Sequence, residues 1–210
     1  MENRRKQIFE YGSSVLTGRL ESSARLIHQY YVQNRESIEQ DFLDTYSQVF
    51  SETVRVQKAG RKQPIKWICT SYLRSSILTG DPKFHIGLYD AGFVLDKTEI
   101  QGYWHTEFLF QPIKNDMSYL TQQLRQKFIR VMDYEIKDFS IQYAQLFFAI
   151  AEYIHDDLTP LLIKLPCFLD MDKADPVHFT FGEFLDRGKI VRSYGKEVEE
   201  DGILSDQSRR

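Results

Sequence analysis

Proline and glycine are so sparse in this chain that they mark out where helices are permitted. Prolines occur only at positions 64, 82, 112, 160, 166 and 176, and no glycine lies between 19 and 59 or between 103 and 181. Both residues are costly inside helices and useful at their ends, proline because it lacks an N–H and glycine because of its backbone freedom. Two long stretches are therefore open to helix, with a turn-rich region between them.

In the first stretch Leu20, Ala24, Ile27 and Tyr31 recur at spacings of four, three and four, and Ile38, Phe42, Tyr46 and Val49 continue the rhythm. That pattern predicts amphipathic helix over 19–54, either one bent helix or two with Ser37 as a cap between them. Ile65, Ile68, Tyr72 and Ile77 predict a further helix over 65–79, closed by a left-handed Gly80 ahead of Pro82. The period then falls to two. Phe84, Ile86 and Leu88 alternate with His85, Gly87 and Tyr89, and Trp104, Thr106, Phe108 and Phe110 alternate with Tyr103, His105, Glu107 and Leu109. This is strand patterning, interrupted by turn chemistry at Asp90-Ala91-Gly92 and Asp96-Lys97-Thr98.

Helical spacing returns at Met117, Leu120, Leu124, Phe128 and Val131, predicting a helix over 115–133, and a more apolar one follows over 138–156. The segment 141–154 has eleven apolar residues in fourteen but also carries Gln142, Gln145 and Glu152. A membrane span needs roughly 20 predominantly apolar residues, so this reads as a core helix. Val177, Phe179 and Phe181, a turn at Asp186-Arg187-Gly188 and Ile190-Val191 predict a second hairpin that completes the sheet.

The order helices, strands, helices, strands predicts an α+β fold, amphipathic helices with a small antiparallel sheet from about 84–110 and 177–194, rather than a doubly wound parallel sheet. A chain of 210 residues can bury a sufficient core without disulfide or metal staples. The expectation is one domain over 1–195 and a flexible tail over 196–210, where apolar anchors run out. Two widely spaced cysteines, Cys69 and Cys167, and a polar start resembling no signal peptide point to a reducing cytoplasm and away from membranes. Residues 1–66 carry 11 basic and 8 acidic side chains against 16 and 22 in the remainder, a contrast of +3 and −6 that falls short of a nucleic-acid binder's concentrated basic face.

Four groups of residues invite chemistry. Alternation places His85 and Tyr89, and on another strand Tyr103, His105 and Glu107, away from the most apolar side of the sheet, with Gly87 and Gly102 leaving room for close approach. Histidine beside a carboxylate can bind a ligand or metal or move a proton, although an ordinary half-solvated sheet face looks the same. Glu152 and His155 share the Glu-x-x-His spacing of di-iron bundles, but a second such helix is missing. At 100° per residue Gln142, Gln145, Glu152 and Asp156 form a solvent stripe instead. Asp170, Asp172 and Asp175 cluster without the glycine and terminal glutamate of a calcium loop. Arg55, Lys58, Arg61, Lys62 and Lys66 form an acid-free basic segment beside Trp67 that suits an anionic partner or simply a charged linker.

The chain contains no phosphate-binding glycine loop, nucleophile elbow or zincin motif. The reading these residues favour is a non-catalytic cytoplasmic module that binds a small molecule or a protein partner through the face bearing His85, Tyr89, Tyr103, His105 and Glu107. The alternatives are a metal-dependent hydrolytic enzyme with ligands from His85, His105, Glu107, His155 or His178, and a nucleic-acid binder acting through 55–66. A homodimer is the expected assembly, since apolar helices in a chain of this size leave surface to bury.

Overall fold

A computed structural model describes residues 2–186 and 188–195. The fold is α+β, as the order of elements predicts, with six helices and a five-stranded mixed sheet among the described residues. The order is α1 (Glu2–Gln33), α2 (Arg35–Lys58), β1 (Ile65–Tyr72), α3 (Arg74–Thr79), β2 (Lys83–Tyr89), β3 (Ile100–His105), α4 (Glu107–Lys127), α5 (Asp133–Leu162), α6 (Pro166–Asp170), β4 (Lys173–Glu183) and β5 (Gly188–Tyr194), with a 3-10 turn at Phe93–Leu95. The strand order is β3-β2-β1-β4-β5, and the β4/β5 hairpin is antiparallel, pairing Val177 with Tyr194 and Phe181 with Lys189. That hairpin joins the earlier strands through β1. The turn expected at 186–188 includes Arg187, and that residue and the tail expected over 196–210 lie outside the described residues.

Several expectations need correction, among them the antiparallel sheet, which is mixed. Residues 65–72 form strand β1, not the first part of a helix; only 74–79 are helical, with Gly80 at φ 74° donating its N–H to Ser76 O as the left-handed cap. The segment Ile-Lys-Trp-Ile-Cys-Thr-Ser-Tyr is rich in β-branched and aromatic residues, and it is a central strand covered on both faces, so the alternation that normally advertises a strand is absent. The strand expected to run through 110 stops at His105, and Glu107 to Phe110 open α4, so Pro112 falls within that helix. Likewise α5 runs through Pro160 to Leu162, and α1 begins at Glu2 and passes through Gly12 and Gly18. Helices 1 and 2 break at Asn34, whose side-chain amide donates to Tyr30 O at 2.9 Å, and not at Ser37.

The chain divides into two compact units interleaved along the sequence, one of residues Met1–Leu43, Tyr72–Phe84 and Tyr103–Leu158, the other of Asp44–Ser71, His85–Gly102 and Thr159–Arg210. The first unit is built around Trp104, fully buried, with Phe42 edge-on at 5.0 Å and Phe84 at 5.8 Å. Gly12 serves packing there: a Cβ at that position would stand 2.6 Å from the Phe139 ring, so glycine is what lets α1 approach α5. Asp116 of α4 is buried in this unit and accepts from Arg19 Nε at 2.7 Å, Ser23 Oγ at 2.6 Å and Tyr143 Oη at 2.7 Å, which ties α1, α4 and α5 together.

The second unit packs Tyr46 and Phe50 of α2, Phe168 of α6 and Phe179 of β4 in one aromatic run with ring spacings of 5.5 to 6.0 Å. The Tyr46 hydroxyl hydrogen-bonds Thr70 of β1, so this side of the sheet faces α2 and α6. Its floor is closed to ligands at Gly102, where the Val49 side chain already occupies the space a Cβ would need.

Candidate functional site

The residues singled out from sequence do not share one environment. In the second unit His85 is buried, its Nε2 hydrogen-bonded to Gln101 Oε1 at 3.0 Å and its ring edge-on to Phe184 at 4.6 Å. Burial lowers its pKa, with the Gln101 hydrogen bond opposing. It is therefore a neutral interior histidine near pH 7. Tyr89 is half-buried and folds back over Gly87, filling the gap that the glycine leaves. In the first unit Tyr103 is exposed with the Lys83 ammonium 4.6 Å from its ring centroid, His105 is exposed at the end of β3, and Glu107 is the first residue of α4.

Around Tyr89 the second unit brings together side chains that the sequence did not connect. Trp67 of β1 lies with its ring 4.7 Å from His178 of β4 and 5.9 Å from Phe93, and Phe93 in turn lies 5.2 Å from Tyr89. Trp67, Tyr89 and His178 are half-buried, and Phe93 is 38% exposed. The Lys66 ammonium stands 5.9 Å from the Trp67 ring, at the limit of cation–π range. Phe93 holds φ at 51°, a left-handed conformation that is strained for a bulky residue and is seen where surrounding structure imposes it.

These four rings occupy the sheet side opposite Thr70 and Phe179, because alternation along β1 and β4 turns Trp67 and His178 the other way. Nδ1 of His178 hydrogen-bonds Ser193 Oγ at 2.8 Å, which orients the imidazole. Its pKa is lowered by burial and then by the nearby Lys66 charge, so the ring presents a neutral face at pH 7. Burial raises the Tyr89 hydroxyl to about 12, keeping it a neutral donor. Cys69 on the same side is buried and its thiol is pushed up to about 11, which makes it a poor nucleophile.

The basic segment is split by burial. Lys62 is wholly inside, donating from Nζ to Leu88 O at 2.9 Å, to Thr98 O at 2.6 Å and to the Asp96 carboxylate. Asp96 in turn accepts from Asp90 N at 2.8 Å and Thr98 N at 3.0 Å, so the turn chemistry expected at 90–92 and 96–98 is present and pinned by a buried lysine. Burial raises the Asp96 pKa, but Lys62 and these N–H groups outweigh it and hold the carboxyl below its ordinary range. With all three donors of Lys62 spent, an anion would meet only Arg55, Lys58, Arg61 and Lys66, and Arg55 pairs with Glu52 at 2.6 Å.

The remaining motifs resolve structurally. His155 is fully buried in the first unit, edge-on to Phe42 at 5.8 Å, and burial pushes its pKa down to about 3. The aspartate-rich loop carries its own cation: Lys173 Nζ donates to Phe168 O at 2.5 Å, Leu169 O at 3.3 Å and Met171 O. Among the described residues no group of three or more His, Cys, Asp or Glu side chains is placed to hold a metal ion, and no helix is long and apolar enough to cross a membrane.

No protein-family model matches the chain, and comparison with curated proteins and with solved structures finds no match.

Proposed function

We propose that the protein is a non-catalytic cytoplasmic binding module whose second unit receives a flat, negatively charged small molecule on the Trp67, Tyr89, Phe93 and His178 patch. Of the face picked out in the sequence Tyr89 is kept, and it is joined by rings with which it forms a continuous run of contacts. The single strongest support is Phe93, held in a strained backbone conformation with its ring part-exposed between Trp67 and Tyr89. Aromatic faces stack on planar groups of many kinds, and Lys66 supplies a cation 5.9 Å from the centroid of the Trp67 ring. His178, neutral and oriented by Ser193, adds a polar edge rather than a charge. The two cysteines are free thiols, which accords with a reducing compartment.

The test titrates the anionic ring probe 8-anilinonaphthalene-1-sulfonate into the protein while following the probe's own emission. One saturable site that Phe93→Ala and His178→Ala each weaken at least about tenfold is the expected result. No saturable binding, or binding that neither substitution changes, overturns the reading.

A further inference from the structure

The corner between α4 and α5 in the first unit holds large apolar side chains out in solvent. Ile129 is 84% exposed, the most of any large apolar residue among the described residues, and Met132 and Tyr134 follow at 51% and 62%. The neighbouring Phe128 turns inward instead, edge-on to Tyr11 of α1 at 5.6 Å, and Arg130 takes a left-handed φ of 54° at the bend. Arg4 of α1 clamps the corner. Its Nη2 donates to Ile129 O at 3.2 Å and Arg130 O at 3.1 Å, while its Nε donates to Glu135 Oε1 at 2.9 Å. The second Glu135 oxygen accepts from Met132 N at 2.8 Å. A backbone pinned on both sides of the bend keeps Ile129 and Met132 from folding back onto the protein. Their exposure is thus built into the corner, and exposed apolar groups held in this way mark an interaction site.

Charge around the corner identifies what it meets. Each acid there is already matched: Glu10 with Lys6 at 3.8 Å, Asp133 with Arg125 at 3.8 Å, Glu135 with Arg4 at 2.9 Å and Asp138 with Arg5 at 3.0 Å. Lys127, Arg130 and Lys137 are exposed and have no ion-pair partner among the described residues. Cations are therefore in local surplus on a chain whose net charge is −3. Lys127 and Arg130 bracket Ile129 along the chain, and Lys137 lies three residues beyond Tyr134, on the same side of α5.

We infer that this corner docks the protein on an anionic lipid bilayer, with Ile129, Met132 and Tyr134 entering the interface and Lys127, Arg130 and Lys137 meeting the headgroups. The two features answer the two halves of such a surface, an apolar phase beneath a negatively charged layer. Side chains projecting from a bend suit a fluid interface that closes around them, whereas a protein partner would need a matching hollow. Tyrosine is at home at that depth, its ring apolar and its hydroxyl wet. The attachment is peripheral, since no helix among the described residues is long and apolar enough to cross a membrane. Neither half suffices alone: a few inserted side chains bind only marginally, and a few cations are screened by salt.

Co-sedimentation of the full chain with phosphatidylcholine vesicles, and with vesicles in which about 30% of the lipid is phosphatidylserine, tests the inference. Binding to the anionic vesicles alone, weakened as salt is raised, is the expected result. Ile129→Asp and the Lys127→Gln/Lys137→Gln pair should each lower the partition coefficient at least about tenfold, with unchanged far-UV circular dichroism because all three side chains are exposed. No binding to anionic vesicles would assign the corner to a protein partner and overturn the inference. Equal binding to both kinds of vesicle, or binding that survives both variants, would overturn it as well. Should Ile129→Asp disturb folding, the lysine pair decides alone.

Discussion

Each unit buries a carboxylate, and the two solve the problem differently. In the second, Asp96 is 3% exposed and its partner Lys62 is 0% exposed, so two opposite charges are taken out of water together and both are saturated by backbone groups of the 88–98 segment. In the first, Asp116 is buried alone among side chains: two hydroxyls and the guanidinium of Arg19, which remains 41% exposed. The second arrangement pins a loop whose large side chains Phe93 and Leu95 are exposed rather than packed inside. The first ties three helices that already share an apolar interface, so its contribution is to choose their register. Buried polar networks are costly when incomplete, and the cost should scale with how completely the remaining charge is sealed from water.

The largest effect should follow from Lys62→Met, which leaves Asp96 sealed without its cation. A loss of about 3–5 kcal/mol in urea unfolding is expected, with part recovered in the Lys62→Met/Asp96→Asn double variant. An unaffected midpoint would mean that the loop rearranges and that the pair is not a pin. Asp116→Ala should come next, at about 2–3 kcal/mol, since it strands the Ser23 and Tyr143 hydroxyls in the interior while Arg19 can turn to water; Tyr143→Phe should cost about 1 kcal/mol. If Asp116→Ala matched Lys62→Met, exposure of the partner would not be the deciding variable.

A third test uses protons. His155 of the first unit is held down to about 3 by burial, below its ordinary value, so the unfolded chain takes up a proton that the folded chain refuses. Its contribution to stability is fully present above about pH 6.5 and is lost as pH falls from there toward 3. His155→Gln should remove close to one proton from the pH dependence between pH 6 and 5, about 1.4 kcal/mol per pH unit at most, and an unchanged slope would show that His155 is protonated in the fold. His85 and His178 of the second unit, also lowered, should leave a residual slope in that variant. The smallest effect belongs to Arg55→Ala: the Arg55/Glu52 pair is on the surface, and the unfolding midpoint should not move measurably.

Much of the fold was legible because local patterning and tertiary environment agree there. Helix over 20–33, 38–49 and 138–156, strands at 84–89, 177–183 and 188–194, the Gly80 cap and the Asp90 and Asp96 turns all follow from period, caps and turn chemistry acting within a few residues. The misreadings occur where packing overrides the local signal. Trp67 and Cys69 fit a helical rhythm, and a strand buried on both faces shows no alternation to oppose it, so the contacts around Trp67 are not legible in the sequence. Pro112, Pro160 and Gly12 lie inside helices despite their intrinsic cost, Gly12 because Phe139 needs the room.

The sequence by itself determined the α+β class, most helix and strand positions and the absence of catalytic signatures, since these depend on periodicity and on short spacings. Only the tertiary structure decided which lysine of the basic segment is interior, which histidines are shielded and neutral, and that Trp67, Tyr89, Phe93 and His178 meet on one side of the sheet. Those outcomes depend on contacts between residues as many as 111 positions apart, Trp67 and His178, and on the burial such contacts create, which no local pattern encodes.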